Sequence, residues 1–155
     1  MRILKNLNWA RKINIGMLLL VAGIYTVAAT ILRQIEAVVS MKYYMSPEYF
    51  GVWSKIMMPS VGSPPMEFFL SSVVITFATG LSITIIYYYM RDILPKNPRT
   101  RTFYFADIMI GTSFVFFTLP TYLLFNLPWQ LHVSWFVTTF IILLIGSYTI
   151  VKVIK

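Results

Sequence analysis

FFLSSVVITFATGLSITIIYYYM at residues 68–90, RDILPKNPRTR at 91–101 and TFYFADIMIGTSFVFFTLPTYLLFNL at 102–127 form two long apolar segments around a short basic turn. A helix needs about 20 predominantly apolar residues to cross a hydrocarbon core roughly 30 Å thick, and in lipid a helix satisfies its own backbone amides. These stretches therefore predict a transmembrane hairpin with its turn at a membrane surface. Tyr87, Tyr88 and Tyr89, just before Arg91, fit that surface, because amphipathic rings favour the headgroup level.

The composition agrees. Of the 155 residues, 58% are apolar and only 12% charged, against roughly one quarter charged in a soluble domain. We read the whole of 1–155 as a single integral membrane domain. The net charge of +8 comes from basic residues lying between apolar runs rather than along an exposed face, which argues against a nucleic-acid partner. The absence of cysteine excludes disulfides, thiol redox chemistry, iron-sulfur clusters and thiolate metal sites.

Upstream of the hairpin, Arg2, Lys5, Arg11 and Lys12 precede an uncharged first span at 13–32. A basic start before an apolar run also describes a signal peptide, with Val27-Ala28-Ala29 resembling a cleavage site. The run exceeds the roughly 7–15-residue core of such peptides, so we expect a retained span. The connection 33–67 begins with Arg33 and Glu36, three apart and able to pair on one helical face, and the helix is expected to continue through Val38 and Val39. Ser46-Pro47-Glu48 is then a helix start: a capping hydroxyl, a residue with no amide to leave unpaired, and an acid at the positive end of the dipole. The predicted short helix, 47–58, is amphipathic and interfacial, with Tyr49, Phe50, Trp53, Ile56 and Met57 on one face.

Within the second span, 68–90, Ser72, Thr76, Gly80 and Thr84 recur every four residues as a helix-packing row. Small residues let backbones approach closely where lipid supplies little drive for association. The third span, 102–127, is entered through Asn97-Pro98, a cap and a first-turn proline. Pro120 removes an amide and displaces the Phe116 carbonyl, which predicts a kink with Thr118 or Thr121 serving the freed group. The fourth span is 131–151. The fold class is thus an all-α membrane protein, four transmembrane helices in an antiparallel bundle plus the interfacial helix. Ten of the thirteen Lys and Arg residues flank one side, on the two termini and the 91–101 turn, which predicts cytoplasmic termini in a cell membrane and an outer 33–67 loop.

Candidate chemistry is sparse. Asp107 is the one acid within a span, a default candidate for proton relay or cation binding, though tying to Arg101 or another arginine of the turn, or to a tyrosine, is the favoured reading. His132 is the sole histidine, which excludes a bis-histidine haem or a histidine-only metal cluster within one chain; it is read as an interfacial residue. Glu36, Glu48 and Glu67 are expected outside, as solvated charges or a rim able to coordinate a cation or headgroup. No phosphate loop, Ser/His/Asp arrangement or His-Glu-x-x-His occurs, so neither cofactor nor metal is implied. The favoured function is a non-enzymatic accessory, interaction or assembly subunit, partnered by the bilayer and by a second copy or a larger membrane complex. The alternatives are a transporter or channel component using Asp107, and an enzyme or binder for a lipophilic ligand at the outer mouth, which requires Glu36, Glu48, Glu67 or His132 to converge.

Overall fold

The structure is a computed structural model that describes residues 13–49, 51 and 65–154. Four of its helices are long and apolar enough to cross a membrane: α1 (Ile15–Val39), α3 (Met66–Met90), α4 (Pro98–Leu124) and α5 (Trp129–Val153). A one-turn helix, α2 (Met41–Tyr44), follows α1. Among the described residues there is no strand, and the fold is the expected all-helical membrane bundle. Helical residues resume at 47–49 and 51 after Ser46. The rest of the predicted interfacial helix, with Phe50, Trp53, Ile56 and Met57, lies outside the described residues.

Local sequence sets the helix ends. The Asn14 side chain accepts from Met17 N at 3.1 Å and opens α1. Asn97 accepts from the amides of Arg99 at 2.9 Å and Thr100 at 3.4 Å, with Pro98 at the first turn of α4. At 1.5 Å per residue, the 25 residues of α1 span about 37 Å, more than a hydrocarbon core of roughly 30 Å. The excess of about 7 Å is between one and two turns of helix, in keeping with the expected extension through Val38 and Val39.

Pro120 acts through a widened turn. Residues Phe114–Thr118 are π-helical, with the Leu119 amide bonded to the Phe114 carbonyl, a single-turn bulge of the kind that relieves a missing amide. Thr121 Oγ1 donates to Phe117 O at 2.9 Å and Thr118 O at 3.0 Å. Thr121 therefore serves the neighbouring carbonyls, not that of Phe116.

The helices pack in the order α3, α1, α5, α4, with α1 lying between α3 and α5 and α4 held against α5. The sequence-adjacent pair α3 and α4 meets only at the turn end. There, Tyr87 and Phe105 stack edge-on at 5.2 Å, and Arg101 donates to Tyr87. The Ser72, Thr76, Gly80, Thr84 row explains why: it turns α3 toward α1. A methyl group on Gly80 would lie 3.0 Å from Tyr25 Cδ1 and 3.2 Å from Ala22 Cα. Thr76, Gly80 and Thr84 of the row are buried within the chain, while Ser72 is only partly covered.

Tyr25 is the centre of the bundle. Its ring is 5% exposed, with one edge against Gly80 and the other so close to Gly146 that a methyl there would come within 2.8 Å of Cδ2. Val21, Ala22 and Ala29 continue this face of α1, meeting buried Ile83 of α3 and Ile142 and Ile150 of α5 in the core. Hydroxyls in the spans bond back along their own helices, Thr26 to Ala22 O, Thr76 to Ser72 O and Thr84 to Gly80 O, each at 2.7 Å. That arrangement lets these three threonines pack at apolar depth without an orphaned donor; Ser147 of α5, 1% exposed, is the exception, its hydroxyl having no partner among the described residues.

Candidate functional site

Polar side chains from four helices meet at the end of the bundle opposite the Arg91–Arg101 turn, the loop end. The last turns of α1 supply Arg33 and Glu36, and its C-cap supplies Ser40; α2 supplies Tyr44; α3 supplies Thr76; and α5 supplies Ser134 and Trp135. Glu36 accepts from Ser134 Oγ at 2.8 Å and from the Tyr44 hydroxyl at 3.2 Å. The Ser40 and Ser134 hydroxyls lie 2.9 Å apart, and Trp135 Nε1 donates to Tyr44. Hydrogen bonds to an ionised acceptor are roughly twice as strong as neutral ones, so Glu36 is the hub binding α1, α2 and α5 together.

The expected Arg33–Glu36 pair does not form. Arg33 Nη1 donates instead to Thr76 Oγ1 at 3.1 Å. Residues three apart point about 60° from each other around a helix, and α1 lies between two neighbours, so Arg33 turns toward α3 and Glu36 toward α5. Burial pushes the Tyr44 phenol above its ordinary range; the Trp135 hydrogen bond offsets part of the shift and the Glu36 carboxylate adds to it.

His132, in the first turn of α5, is 6% exposed, so at that helix end it packs inside the protein. The chain beyond the Pro120 bulge brings Tyr122 edge-on to its ring at 5.3 Å, with Trp135 on the same helix at 5.9 Å. Its Nδ1 lies 3.4 Å from Pro128 O, while Nε2 has no partner among the described residues. His132 and Glu36 thus flank one aromatic pair, Trp135 and Tyr44, without a direct bond between them. Glu48 lies beside Tyr49 in the loop segment, where desolvation and then the Glu48 charge raise the phenol above its ordinary value, and Glu67 lies exposed in the first turn of α3, at the positive end of its dipole. The four candidates do not gather into one constellation. Among the described residues no group of three His, Cys, Asp or Glu is placed to hold a metal ion.

Asp107 sits elsewhere. The buried face of α4 is Thr102, Phe105 and Ala106; at 100° per residue Asp107 points away from it, and it is exposed. Arg101 does not reach it, because its Nε donates to Pro95 O at 2.7 Å and its Nη1 to Tyr87 at 3.4 Å. The Asp107 carboxylate makes no hydrogen bond or ion pair among the described residues. A methyl on Gly111, one turn on, would meet nothing within 4 Å.

Sequence reasoning missed Tyr25, Gly146, Ser40 and Ser134. Only the small residues carried any signal, and single glycines and serines in apolar runs do not say which neighbour they face. Fold and site together define an integral membrane protein of four spanning helices, clamped by a carboxylate hub at one end. Comparison with protein-family models, with curated proteins and with solved structures finds no match.

Proposed function

We propose that this chain is a non-enzymatic interaction or assembly subunit that docks sideways onto another membrane helix through the Asp107 face of α4. One observation carries this reading: a carboxylate inside a span, about 13 Å along the helix from Pro98, exposed on the side facing away from the bundle and without a partner among the described residues. A charge at the bilayer centre costs about 2.5–3.5 kcal/mol on insertion scales. Asp107, short of the midpoint of α4, bears part of that cost; a partner helix bringing a cation or a hydrogen-bond donor removes it, and Gly111 beside it leaves room for close backbone approach. The outward aim of Asp107 supports this reading over a conduction pathway through the bundle. The dispersal of Glu36, Glu48, Glu67 and His132 supports it over catalysis.

The test is photo-crosslinking in native membranes with a benzoylphenylalanine replacing the exposed Tyr104. A discrete adduct is expected, much reduced in Asp107→Asn and lost in Asp107→Leu, and its mass separates a second copy from a different protein. An adduct indifferent to Asp107→Leu, or none at all, refutes the proposal. The positive-inside rule further supports cytoplasmic termini, in a cell membrane. A single cysteine at Met41 should then react with an impermeant maleimide from outside; protection there, with labelling at Lys96→Cys, reverses the orientation.

A further inference from the structure

At the turn end, the first turns of α4 and the last turns of α5 enclose a groove of about 610 Å³, within the roughly 300–1,000 Å³ of small-molecule sites. Its walls are apolar: Phe103 on α4 and Leu144, Ile145 and Val151 on α5. Its charged residues are Arg99 and Lys152, next to the N-terminus of α4 and the C-terminus of α5. Neither cation has a carboxylate partner among the described residues. Lys152 reaches only the Tyr148 hydroxyl at 3.4 Å and the face of the same ring.

We propose that this groove is a binding site for an anionic phospholipid, with its phosphate held between Arg99 and Lys152 and an acyl chain lying along Phe103, Leu144 and Ile145. Three features select that occupant. The cations lie at the very ends of two membrane-spanning helices, where a headgroup sits, while the apolar wall runs from them toward the middle of the spans. Leu144 is eight residues before Lys152, which places it about 12 Å deeper along α5, so one amphiphile meets charge and then hydrocarbon in the order the groove offers them. The excess of positive charge is also local and unneutralised, the arrangement by which basic pockets between helices hold acidic headgroups. The Tyr148 hydroxyl, beside Lys152, supplies a donor for a phosphate oxygen.

The experiment uses the full chain in detergent, titrated with phosphatidylglycerol or phosphatidylcholine in mixed micelles and read by native mass spectrometry and by the shift in unfolding temperature. Phosphatidylglycerol is expected to be retained and to raise the unfolding temperature, and phosphatidylcholine to do neither. Loss of one cation should weaken binding about 5-fold, and R99Q with K152Q about 25-fold, following the roughly 1 kcal/mol per basic residue near a surface. Ile145→Trp, which fills the groove, should abolish retention, and K96Q, in the same basic turn but outside the groove, should change nothing. Equal weakening by K96Q means diffuse surface charge and overturns the site. Equal retention of phosphatidylcholine overturns the headgroup assignment. Binding of glycerol 3-phosphate as tight as that of the lipid overturns the acyl-chain assignment. If Ile145→Trp does not fold, the Arg99, Lys152 and Lys96 variants decide alone.

Discussion

Replacing Gly146 by alanine tests whether close approach at Tyr25 holds the bundle together. The new methyl would lie 2.8 Å from Tyr25 Cδ2 and 3.0 Å from Cε2, where carbon atoms at rest sit about 3.5–4.0 Å apart. The ring cannot retreat, because its other edge is pressed against Gly80. Helices α1 and α5 must therefore separate by several tenths of an ångström, an overpacking that costs about 1–3 kcal/mol. Alanine's higher helix propensity opposes this by about 0.8–1 kcal/mol. That opposition supplies the control. At Gly23, where a methyl meets nothing within 4 Å, alanine should be neutral or stabilising. In a Tyr25→Ala background, Gly146→Ala should lose its penalty and change sign. Unfolding in detergent by titrated SDS, run as a double-mutant cycle, reads the coupling directly. A loss that is equal with and without the Tyr25 ring, or no loss at all, would refute the wedge.

The loop-end hub makes two more predictions. Ser134→Ala removes a donor from Glu36 and the partner of Ser40, and should cost about 1–2 kcal/mol in the same titration; a change under about 0.3 kcal/mol would mean that the hub does not bind α1 to α5. For Tyr44, burial favours the uncharged phenol in the folded state. Its contribution to stability is thus fully present below the ordinary tyrosine value of about 10, and is lost as pH rises from there through the higher folded value. Tyr44→Phe should therefore flatten part of the alkaline fall in unfolding temperature; an unchanged alkaline limb would count against the buried assignment.

What the sequence discloses is what is local. Length and hydrophobicity mark four spans, Asn97-Pro98 marks a helix start that the structure places at Pro98, and Pro120 marks a disturbance that takes the form of a π-turn. The order of helices around the bundle is not local. A helix in lipid is apolar on every side, so no amphipathic stripe shows which face turns inward, and the deciding residues are small ones. The Ser72 to Thr84 row was visible for that reason, yet nothing in it distinguishes α1 from a foreign helix. Gly146 stands alone in its run and becomes meaningful only once Tyr25 is seen against it. Arg33 and Glu36 were legible as polar residues, but their partners depend on which helices flank α1.

The helix α4 has a single long-run neighbour, while α1 has two. Fewer interfaces must open for it to swing than for α1, so it costs less free energy to displace than that central helix. Its pivot is already built: Arg101 fastens its base to Pro95 and Tyr87, and the wide turn at Phe114–Thr118 divides the shaft above. Mechanically the molecule is a row of four helices in which α4 is an outrigger at the α5 edge. A force or a binding event felt by that outrigger can tilt it while the Tyr25 wedge stays undisturbed.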